Sequence, residues 1–191
     1  MKNKSKIYIN APITLTFVAI CIISLILGAI THDTTTILFF STYRSSLLDP
    51  LTYLRLFTHI FGHADLEHLL NNMIYILLLG PILEEKYHKG LIPIIASVAL
   101  ITGILHNVLS NTMLLGASGI VFAFILLSSI TGKEDGIPFT LILVALFWLG
   151  GEVYSALTIA DNVSQMAHIV GGLSGAGLGL MIKKAHIKNT F

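Results

Sequence analysis

Long apolar runs constrain the fold of this chain more than any other feature. Six of them, roughly 17–22 residues each with the fifth shorter, are long enough to cross the hydrocarbon core of a bilayer as α-helices. They lie at about 11–30, 66–84, 91–109, 116–132, 137–151 and 164–182. Of the 191 residues 54% are hydrophobic and 11% are charged, whereas soluble domains carry roughly 25% charged residues. The sequence therefore predicts an all-α membrane protein with six transmembrane helices.

The same runs predict one membrane domain at 11–184, with a short N-terminal segment at 1–10 and a tail at 185–191. The first run is longer than the apolar core of a signal peptide, and no small-x-small cleavage site follows it, so we expect a retained helix. The one cysteine, Cys21, lies in this run. It excludes an intramolecular disulfide and a cysteine-based metal site.

The placement of the basic residues predicts the orientation. All nine lysines flank the runs on one side, and only Arg44 and Arg55 fall on the other. The positive-inside rule then places both termini in the cytoplasm. We expect the protein in the cell membrane. The net charge of +1 and the lack of a basic tract argue against a nucleic-acid partner.

The connection between the first two runs, about 31–65, is long for a compact protein. It mixes aromatic residues, leucines and polar residues around Asp49-Pro50, with too little continuous apolar sequence to span. Long connections of this kind are often functional. We expect an external loop that lies partly in the membrane interface rather than a passive linker.

Polar residues recur at one height in the predicted bundle. The second, fourth and sixth runs cross in the same direction, and their first turns hold His68 with Asn72, Ser118, and His168. Buried polar groups in hydrocarbon cost several kcal/mol unless they are partnered, so these side chains should face the bundle interior and one another. A serine beside a histidine is a nucleophile beside a base.

Small residues would let the fourth and sixth runs approach closely. Gly116 and Gly119 flank the serine, and Gly171, Gly175 and Gly179 follow the histidine at four-residue intervals. Such spacing permits close helix packing in membranes, although by itself it indicates nothing more. If the two runs pack along these faces, Ser118 and His168 meet.

Simpler interpretations exist for each polar residue. A serine at a helix start is usually a cap, and a lone histidine is usually a hydrogen-bonded polar group. His59, His63 and His68 have the spacing of possible zinc ligands, with Asp65 and Glu67 nearby, but the His-Glu-x-x-His motif is absent. We therefore expect no metal and no cofactor, and hydrogen bonds to the long loop for His59 and His63. His106 competes with His168 for the role of base.

At this point the chain resembles the rhomboid family of intramembrane serine proteases, from about Leu54 onward. Four motifs occur in the family's order: "FTHIFGHADLEHLLNN" with His68 and Asn72, Gly80 followed by Glu84, "GASG" at 116–119, and "AHIVGGLSG" at 167–175. The four-letter serine motif alone is a weak signal, whereas all four motifs in order are specific.

The resemblance implies a role for each matching residue. Ser118 would be the nucleophile and His168 its general base, in a dyad without a third acidic member. His68, Asn72 and the backbone N–H of Ser118 would form the oxyanion hole. The residues implied to shape the backbone and packing around the dyad are Gly116, Gly119, Phe122, Gly171 and Gly175. Those implied to tie loops and helix ends are Arg55, His59, His63 and Glu84.

Two positions depart from the family's pattern. Leu54-Arg55 stands where the family often has Trp-Arg, which bears on how the first loop is anchored. Phe122 stands where the family often has tyrosine, on whose ring the histidine stacks. An aromatic face is kept and only a hydroxyl is lost, so we expect little effect on the chemistry.

The resemblance implies an intramembrane serine endopeptidase that cleaves transmembrane protein substrates, with its site opening to the external side of the bilayer. The fifth run, with Phe147, Trp148 and Gly150-Gly151, is the expected route by which a substrate enters. The alternative is a proteolytically silent relative that binds membrane proteins, although such relatives usually lack the serine or the histidine. A small transporter is a further rival, but no internal repeat supports it. The sequence does not determine the substrate or the oligomeric state.

Overall fold

The protein is all-helical throughout the described residues. The structure, a computed structural model, describes residues 7–130, 136–158 and 165–188. The α-helices are α1 (Pro12–Ile30), α2 (Thr34–Phe39), α3 (Pro50–Thr58), α4 (Leu66–Tyr87), α5 (Leu91–Leu109), α6 (Ser118–Ser128), α7 (Phe139–Thr158) and α8 (Gln165–Lys188). Single 3-10 turns at His59–Phe61 and His88–Gly90 precede α4 and α5. The predicted all-α class is confirmed for these residues.

The six longest helices, α1 and α4 to α8, coincide with the six predicted runs. Three described stretches are long and apolar enough to cross a membrane, namely Pro12–Ile30, Leu66–Leu109 and Gln165–Lys183. The second stretch contains both α4 and α5, and the apolar parts of α6 and α7 are shorter. The number of crossings and the orientation stay predictions. Lys2, Lys4, Lys6, Lys133 and Asp161 lie outside the described residues.

Several helices have bounds different from those expected; α7, for example, continues to Thr158 rather than 151. α6 begins at Ser118 rather than 116, because Gly116 has a φ of 123° and so cannot belong to a right-handed helix. It ends at Ser128, where the hydroxyls of Ser128 and Ser129 donate to the carbonyls of Ile125 and Leu126. α8 continues to Lys188, which carries the last helix into the segment expected as a tail.

The long first connection contains two short helices, α2 and α3. Asp49 caps α3, because its Oδ1 accepts from the Leu51 N–H at 2.9 Å, and Pro50 stands at the first helical position. The helix then turns its polar side chains inward: Thr52 and Arg55 are buried, whereas Leu54 and Phe57 are exposed. This reversed amphipathic pattern is suited to an apolar surrounding such as the membrane interface.

The centre of the molecule is α6. Every residue from Ile120 to Leu127 is buried, so this helix is surrounded on all sides, mainly by α4, α5 and α8. A helix that is apolar around its whole circumference is stable only in such a position. The burial of α6 fixes Ser118, at its first turn, near the middle of the bundle.

The opposite end of the molecule is tied by Glu84. Its carboxylate accepts from the backbone N–H groups of Ile13 and Thr14 and from the Thr14 hydroxyl, each at 2.9 Å. These are free donors of the first turn of α1, where a carboxylate also complements the helix dipole. Gly80, one turn earlier, lets Thr14 approach, since a Cβ there would lie 2.5 Å from the Thr14 methyl carbon.

Candidate active site

Backbone hydrogen bonds on both sides hold the loop that leads to Ser118. Leu114 and Thr42 exchange two N–H···O bonds of 2.8 Å. Two residues later the Gly116 N–H donates to the His59 carbonyl at 3.0 Å. Ala117 is then the N-cap and Ser118 the first helical residue, so the serine is not the cap that a simpler interpretation expected. Its hydroxyl is left half-buried at the first turn of α6.

The ring of His68 lies directly over Gly116. A Cβ at Gly116 would be 2.8 Å from the His68 Nε2 and 4.0 Å from the Ser118 Oγ. Only glycine has room there, and only glycine takes the positive φ without strain. The Gly116 backbone therefore brings the imidazole of α4 and the hydroxyl of α6 to the same place.

Helices α6 and α8 are in backbone contact beside the serine. A Cβ at Gly171 would lie 2.3 Å from the Gly119 carbonyl oxygen, and one at Gly175 would lie 2.7 Å from the Ala123 Cα. A Cβ at Gly119 would come within 3.4 Å of the carbonyl oxygen of Ala167. The glycine spacing predicted this close approach, and the geometry of the two helices confirms it.

The contact brings His168 to α6. The His168 ring stacks on the Phe122 ring, with centroids 4.5 Å apart and planes inclined by 12°. Phe122 lies one turn along α6 from Ser118, and His168 lies one turn before Gly171 on α8. The phenyl face thus holds the imidazole against α6, at the turn that follows the serine. A direct approach of the Ser118 hydroxyl to the His168 ring stays a prediction.

Asn72 lies one turn after His68 on α4 and is buried. Its Nδ2 donates to the His68 carbonyl at 3.0 Å. Because an amide nitrogen carries two N–H groups, the second remains as a potential donor to a bound oxygen. His68 itself is half-buried, and its backbone N–H is held by the Asp65 carboxylate at 2.7 Å.

His59 joins α3 to the serine loop and to α5. Its Nδ1 lies 3.1 Å from the Arg55 carbonyl, its Nε2 lies 3.5 Å from the Thr102 hydroxyl, and its own carbonyl holds Gly116. Burial lowers the pKa of His59 to about 4, so the ring is neutral at physiological pH.

Arg55 anchors the first connection from the buried side of α3. Its guanidinium donates to the Tyr43 hydroxyl at 3.0 Å, to the Ser45 hydroxyl at 3.1 Å and to the Asp49 carboxylate at 3.0 Å. The Tyr43 ring lies against the same guanidinium, 4.6 Å away. A five-donor planar cation suits this set of acceptors better than the single ammonium of a lysine.

His63 packs its ring edge-on against His68, with centroids 5.0 Å apart. Its Nδ1 lies 3.2 Å from the Phe61 carbonyl, and its buried Nε2 has no hydrogen-bond partner in the described part of the chain. Burial, with a smaller contribution from His68, lowers the pKa of His63 to about 4. A neutral His63 therefore supports the oxyanion-hole candidate without adding charge.

Metal ligation was the minor alternative for these histidines. Across residues 7–130, 136–158 and 165–188, no three side chains of His, Cys, Asp or Glu form a group that would hold a metal ion. The Nδ1 atoms of His59 and His63 are also directed at backbone carbonyls. These contacts are the structural hydrogen bonds that the sequence led us to expect.

Several site neighbours were not singled out from the sequence. They are Thr42, which pairs with the serine loop, Tyr43, which holds Arg55, Thr102, which meets His59, and Tyr75, which meets Trp148. His106, the other candidate base, has its Nε2 3.0 Å from the Thr112 carbonyl. Of these four residues, only Tyr75 could have been identified from the sequence, since it lies three residues after Asn72 on the same helix face.

Comparison with known families gives one decisive match. The family profile described as "Rhomboid domain" matches residues 50–185, which is well over half of the chain. This chain belongs to the rhomboid family. The matched range includes His68, Asn72, Ser118 and His168.

Curated relatives carry the same family name. The chain is 29% identical over 170 residues to a protein of Serratia proteamaculans named "Rhomboid protease GlpG", covering 86% of this chain and 60% of that protein. A protein of the same name from Salmonella choleraesuis is 31% identical over 135 residues, covering 66% of this chain and 48% of that protein. This rhomboid chain thus spans about half to three-fifths of the length of the relatives it matches.

Proposed function

We propose that this rhomboid chain is an intramembrane serine endopeptidase with Ser118 and His168 as its dyad. The observation that supports the proposal is the stack of His168 on Phe122, one turn along α6 from Ser118, in the helix pair closed by Gly119 and Gly171. The curated relatives named as proteases support the same reaction class. A nucleophile beside an oriented base is the arrangement that acyl transfer needs.

The dyad would work in two half-reactions. In the first, the Ser118 Oγ attacks the scissile carbonyl carbon while its proton passes to the His168 imidazole. The tetrahedral intermediate then collapses, the amine product leaves with that proton, and an ester on Ser118 remains. In the second, His168 takes a proton from water as the water attacks the ester, and the proton returns to Ser118 as the acid product leaves. A positioned base of this kind contributes typically 10²–10⁴-fold.

The oxyanion of each tetrahedral intermediate would be held by three groups. The backbone N–H of Ser118 is a free donor at the start of α6, where the helix dipole also favours negative charge. The His68 ring and the second N–H of Asn72 would complete the site from α4. Each such donor is worth roughly 10²–10³ in rate when it is fixed in a site of low dielectric constant.

The proposed topology has six crossings, both termini in the cytoplasm of the cell and the dyad opening to the external side. The lysine distribution supports it, as does the reversed amphipathicity of α3. Membrane-impermeant thiol reagents test it in intact cells with Cys21→Ala as background. Leu48→Cys should be labelled from outside and Lys89→Cys only after the membrane is opened. The reverse result would contradict the orientation.

The substrate class follows from where the site lies. A membrane-embedded hydrolytic site meets transmembrane segments, and a helical segment must unwind locally before its peptide bond reaches Ser118. Helix-weakening Gly or Pro near the cut should therefore favour cleavage. The proposed partners are transmembrane protein substrates and the bilayer itself.

The dyad is tested with purified protein in phospholipid vesicles and a fluorescently labelled transmembrane substrate. Ser118→Ala and His168→Ala should each lower the cleavage rate by at least about 10³-fold. Ser128→Ala is the matched control, because that hydroxyl only donates to the Ile125 carbonyl at the far end of α6. Fluorophosphonate labelling should occur in the wild type and vanish in Ser118→Ala.

Equal cleavage by wild type, Ser118→Ala and His168→Ala would contradict the serine mechanism. Substrate that binds all three variants without any cleavage would instead favour the alternative, a silent rhomboid that binds membrane proteins.

A further inference from the structure

An apolar cavity of about 450 Å³ lies between α1 and α5, outside the proposed catalytic site. Its walls include Phe17 and Ile20 of α1 and Ile92 and Ala96 of α5. Among the described residues that line it, Thr16 is the one polar residue and all others are apolar. The volume is within the roughly 300–1,000 Å³ range of small-molecule pockets.

The roof of the cavity is the end of α3 together with the turn that follows it. Phe57, Ile60 and Phe61 line it from above, and the Phe61 ring packs on the Phe17 ring with centroids 5.1 Å apart. This turn contacts both α1 and α5, so it closes the cavity toward the active-site side. Below this roof the cavity is bounded by the first turns of the two helices, where Pro12, Ile13 and Ile92 line it.

The walls of the cavity belong to helices whose outer surfaces suit the bilayer. Both walls lie in stretches that are apolar and long enough to cross a membrane. On the first turns of these helices, Leu15 of α1 and Ile92 of α5 are exposed apolar side chains. Water entering so apolar a space would find too few polar partners, whereas a hydrocarbon chain would find matched surfaces.

The same end of the molecule carries positive charge. Lys89 is exposed three residues before Ile92, where the α5 wall begins. Basic side chains at the membrane surface attract the phosphate of phospholipid headgroups. One lipid molecule at this position could place an acyl chain in the cavity and its headgroup near Lys89.

We propose that the cavity binds one acyl chain of a phospholipid, and that the bound chain supports the serine loop. The roof connects to that loop through His59. His59 lies between Phe57 and Ile60 in sequence, and its carbonyl accepts the Gly116 N–H at 3.0 Å. Emptying the cavity removes contacts from beneath the roof and so loosens the hydrogen bond that holds Gly116.

Photo-labelling tests the site without any need for proteolysis. The probe is a phosphatidylcholine with a diazirine on one acyl chain, present in phosphatidylcholine vesicles that contain the full chain. In the wild type, mass spectrometry should place the saturable label on the wall and roof segments 16–20, 57–61 and 92–96. Ala96→Phe fills the cavity and should lower that labelling at least about fivefold.

Ala29→Phe is the matched control, since Ala29 is an exposed alanine at the opposite end of α1. It should leave labelling of the cavity segments unchanged. Label spread evenly along α1, or equal cavity labelling in Ala96→Phe, would overturn the proposal. If Ala96→Phe does not fold, the wild-type map decides, together with Ile20→Trp on the opposite wall.

Hydrogen exchange tests the link to the serine loop. In delipidated wild-type protein in detergent, the Gly116 amide should exchange at least about tenfold faster than after phosphatidylcholine is added back. The amides of α6, which are surrounded by protein, should not change. Lipid-independent exchange at Gly116 would overturn the supporting role, while the photo-labelling result would still decide the binding site. Neither measurement depends on whether the chain is a protease.

Discussion

Phe122 shows how one residue defines the proposed base. It supplies a flat face on which His168 lies, and its ring is nearly perpendicular to the Trp148 ring of α7, with centroids 5.6 Å apart. The family position often holds tyrosine, but the contact made here uses only the ring. A stacked aromatic pair of this kind is worth about 0.5–1.5 kcal/mol beyond its buried area.

Two substitutions of Phe122 distinguish the contribution of the aromatic ring from that of the tyrosine hydroxyl often found at this position in the family. Phe122→Leu removes the face and should lower kcat by about 2- to 12-fold, the rate equivalent of that stacking energy. Phe122→Tyr keeps the face and should stay within about twofold of the wild type. Single-turnover cleavage of the labelled substrate in vesicles measures both. A loss as large in Phe122→Tyr as in Phe122→Leu would show that the ring face is not what positions His168.

At the scale of elements, the pair of α6 and α8 decides the site. Their backbones meet because Gly171 and Gly175 present no side chain toward Gly119 and Ala123. Membrane helices associate through such packing, since lipid removes the hydrophobic driving force between them. The helix that carries Ser118 and the helix that carries His168 can therefore lie this close only because Gly171 and Gly175 have a hydrogen atom where alanine would have a methyl group.

Gly171→Ala should force the two helices apart. The new Cβ would lie 2.3 Å from the Gly119 carbonyl oxygen, which is backbone and cannot rotate away. Overpacking of this kind costs about 1–3 kcal/mol, and we expect a lower Tm in detergent together with loss of cleavage.

Gly177→Ala is the control on the same helix, because nothing lies within 4 Å of a Cβ there. It should be neutral or raise stability by about 0.5–1 kcal/mol, as alanine favours a helix over glycine. If the two substitutions lowered the Tm equally, the close contact at Gly171 would not be what holds α6 and α8 together.

At the scale of the whole molecule, α7 is the least enclosed of the long helices. It packs on α8 and more lightly on α6, and Leu146 and Phe147 are exposed. Trp148 is its contact with α4, where it meets the Tyr75 ring at 6.1 Å. This helix is the proposed lateral gate, and Trp148 lies between Tyr75 on one side and Phe122 on the other.

Linking α4 to α7 should block transmembrane substrates. In a Cys21→Ala background, Tyr75→Cys and Trp148→Cys are joined with a short bifunctional thiol reagent. Cleavage of a transmembrane substrate should fall at least about tenfold, whereas fluorophosphonate should still label Ser118. The unlinked double variant and each single-cysteine variant after treatment are the controls. Unchanged cleavage after complete linking would rule out substrate access between these helices.

The stability of the whole molecule should depend on pH through His59 and His63. Burial lowers the pKa of each to about 4 in the folded protein, compared with about 6.5 in an unfolded chain. Between these values the unfolded chain binds more protons, so the free energy of unfolding rises with pH. The contribution of these two histidines to the free energy of unfolding is therefore fully present above about pH 6.5. It is lost as the pH falls toward 4.

His63→Phe should reduce this dependence. It keeps a ring against His68 and removes a nitrogen that has no partner in the described part of the chain. Unfolding in detergent at a series of pH values should give a shallower slope between pH 6.5 and 4 than the wild type. An unchanged slope would show that His63 is already protonated in the folded state or does not contribute.

The sequence by itself determined the all-α class, the approximate positions of the long helices and the residues of the proposed dyad. Apolar runs are readable because only a helix satisfies its own backbone in lipid, and Ser118 and His168 stood out as polar groups that lipid would exclude. The helical content of residues 34–39 and 50–58 was not predicted. Its polar residues point inward and its apolar residues outward, a pattern that depends on the surroundings of the segment.

Only the tertiary structure decided which groups meet. The stack of His168 on Phe122, the His68 ring over Gly116 and the His59 carbonyl that holds Gly116 all join residues that are distant in the chain. No local pattern fixes such contacts, because they depend on how far two helices approach and at what height. Here the approach is set by glycines on α6 and α8, and the height by a buried turn that connects α3 to α4.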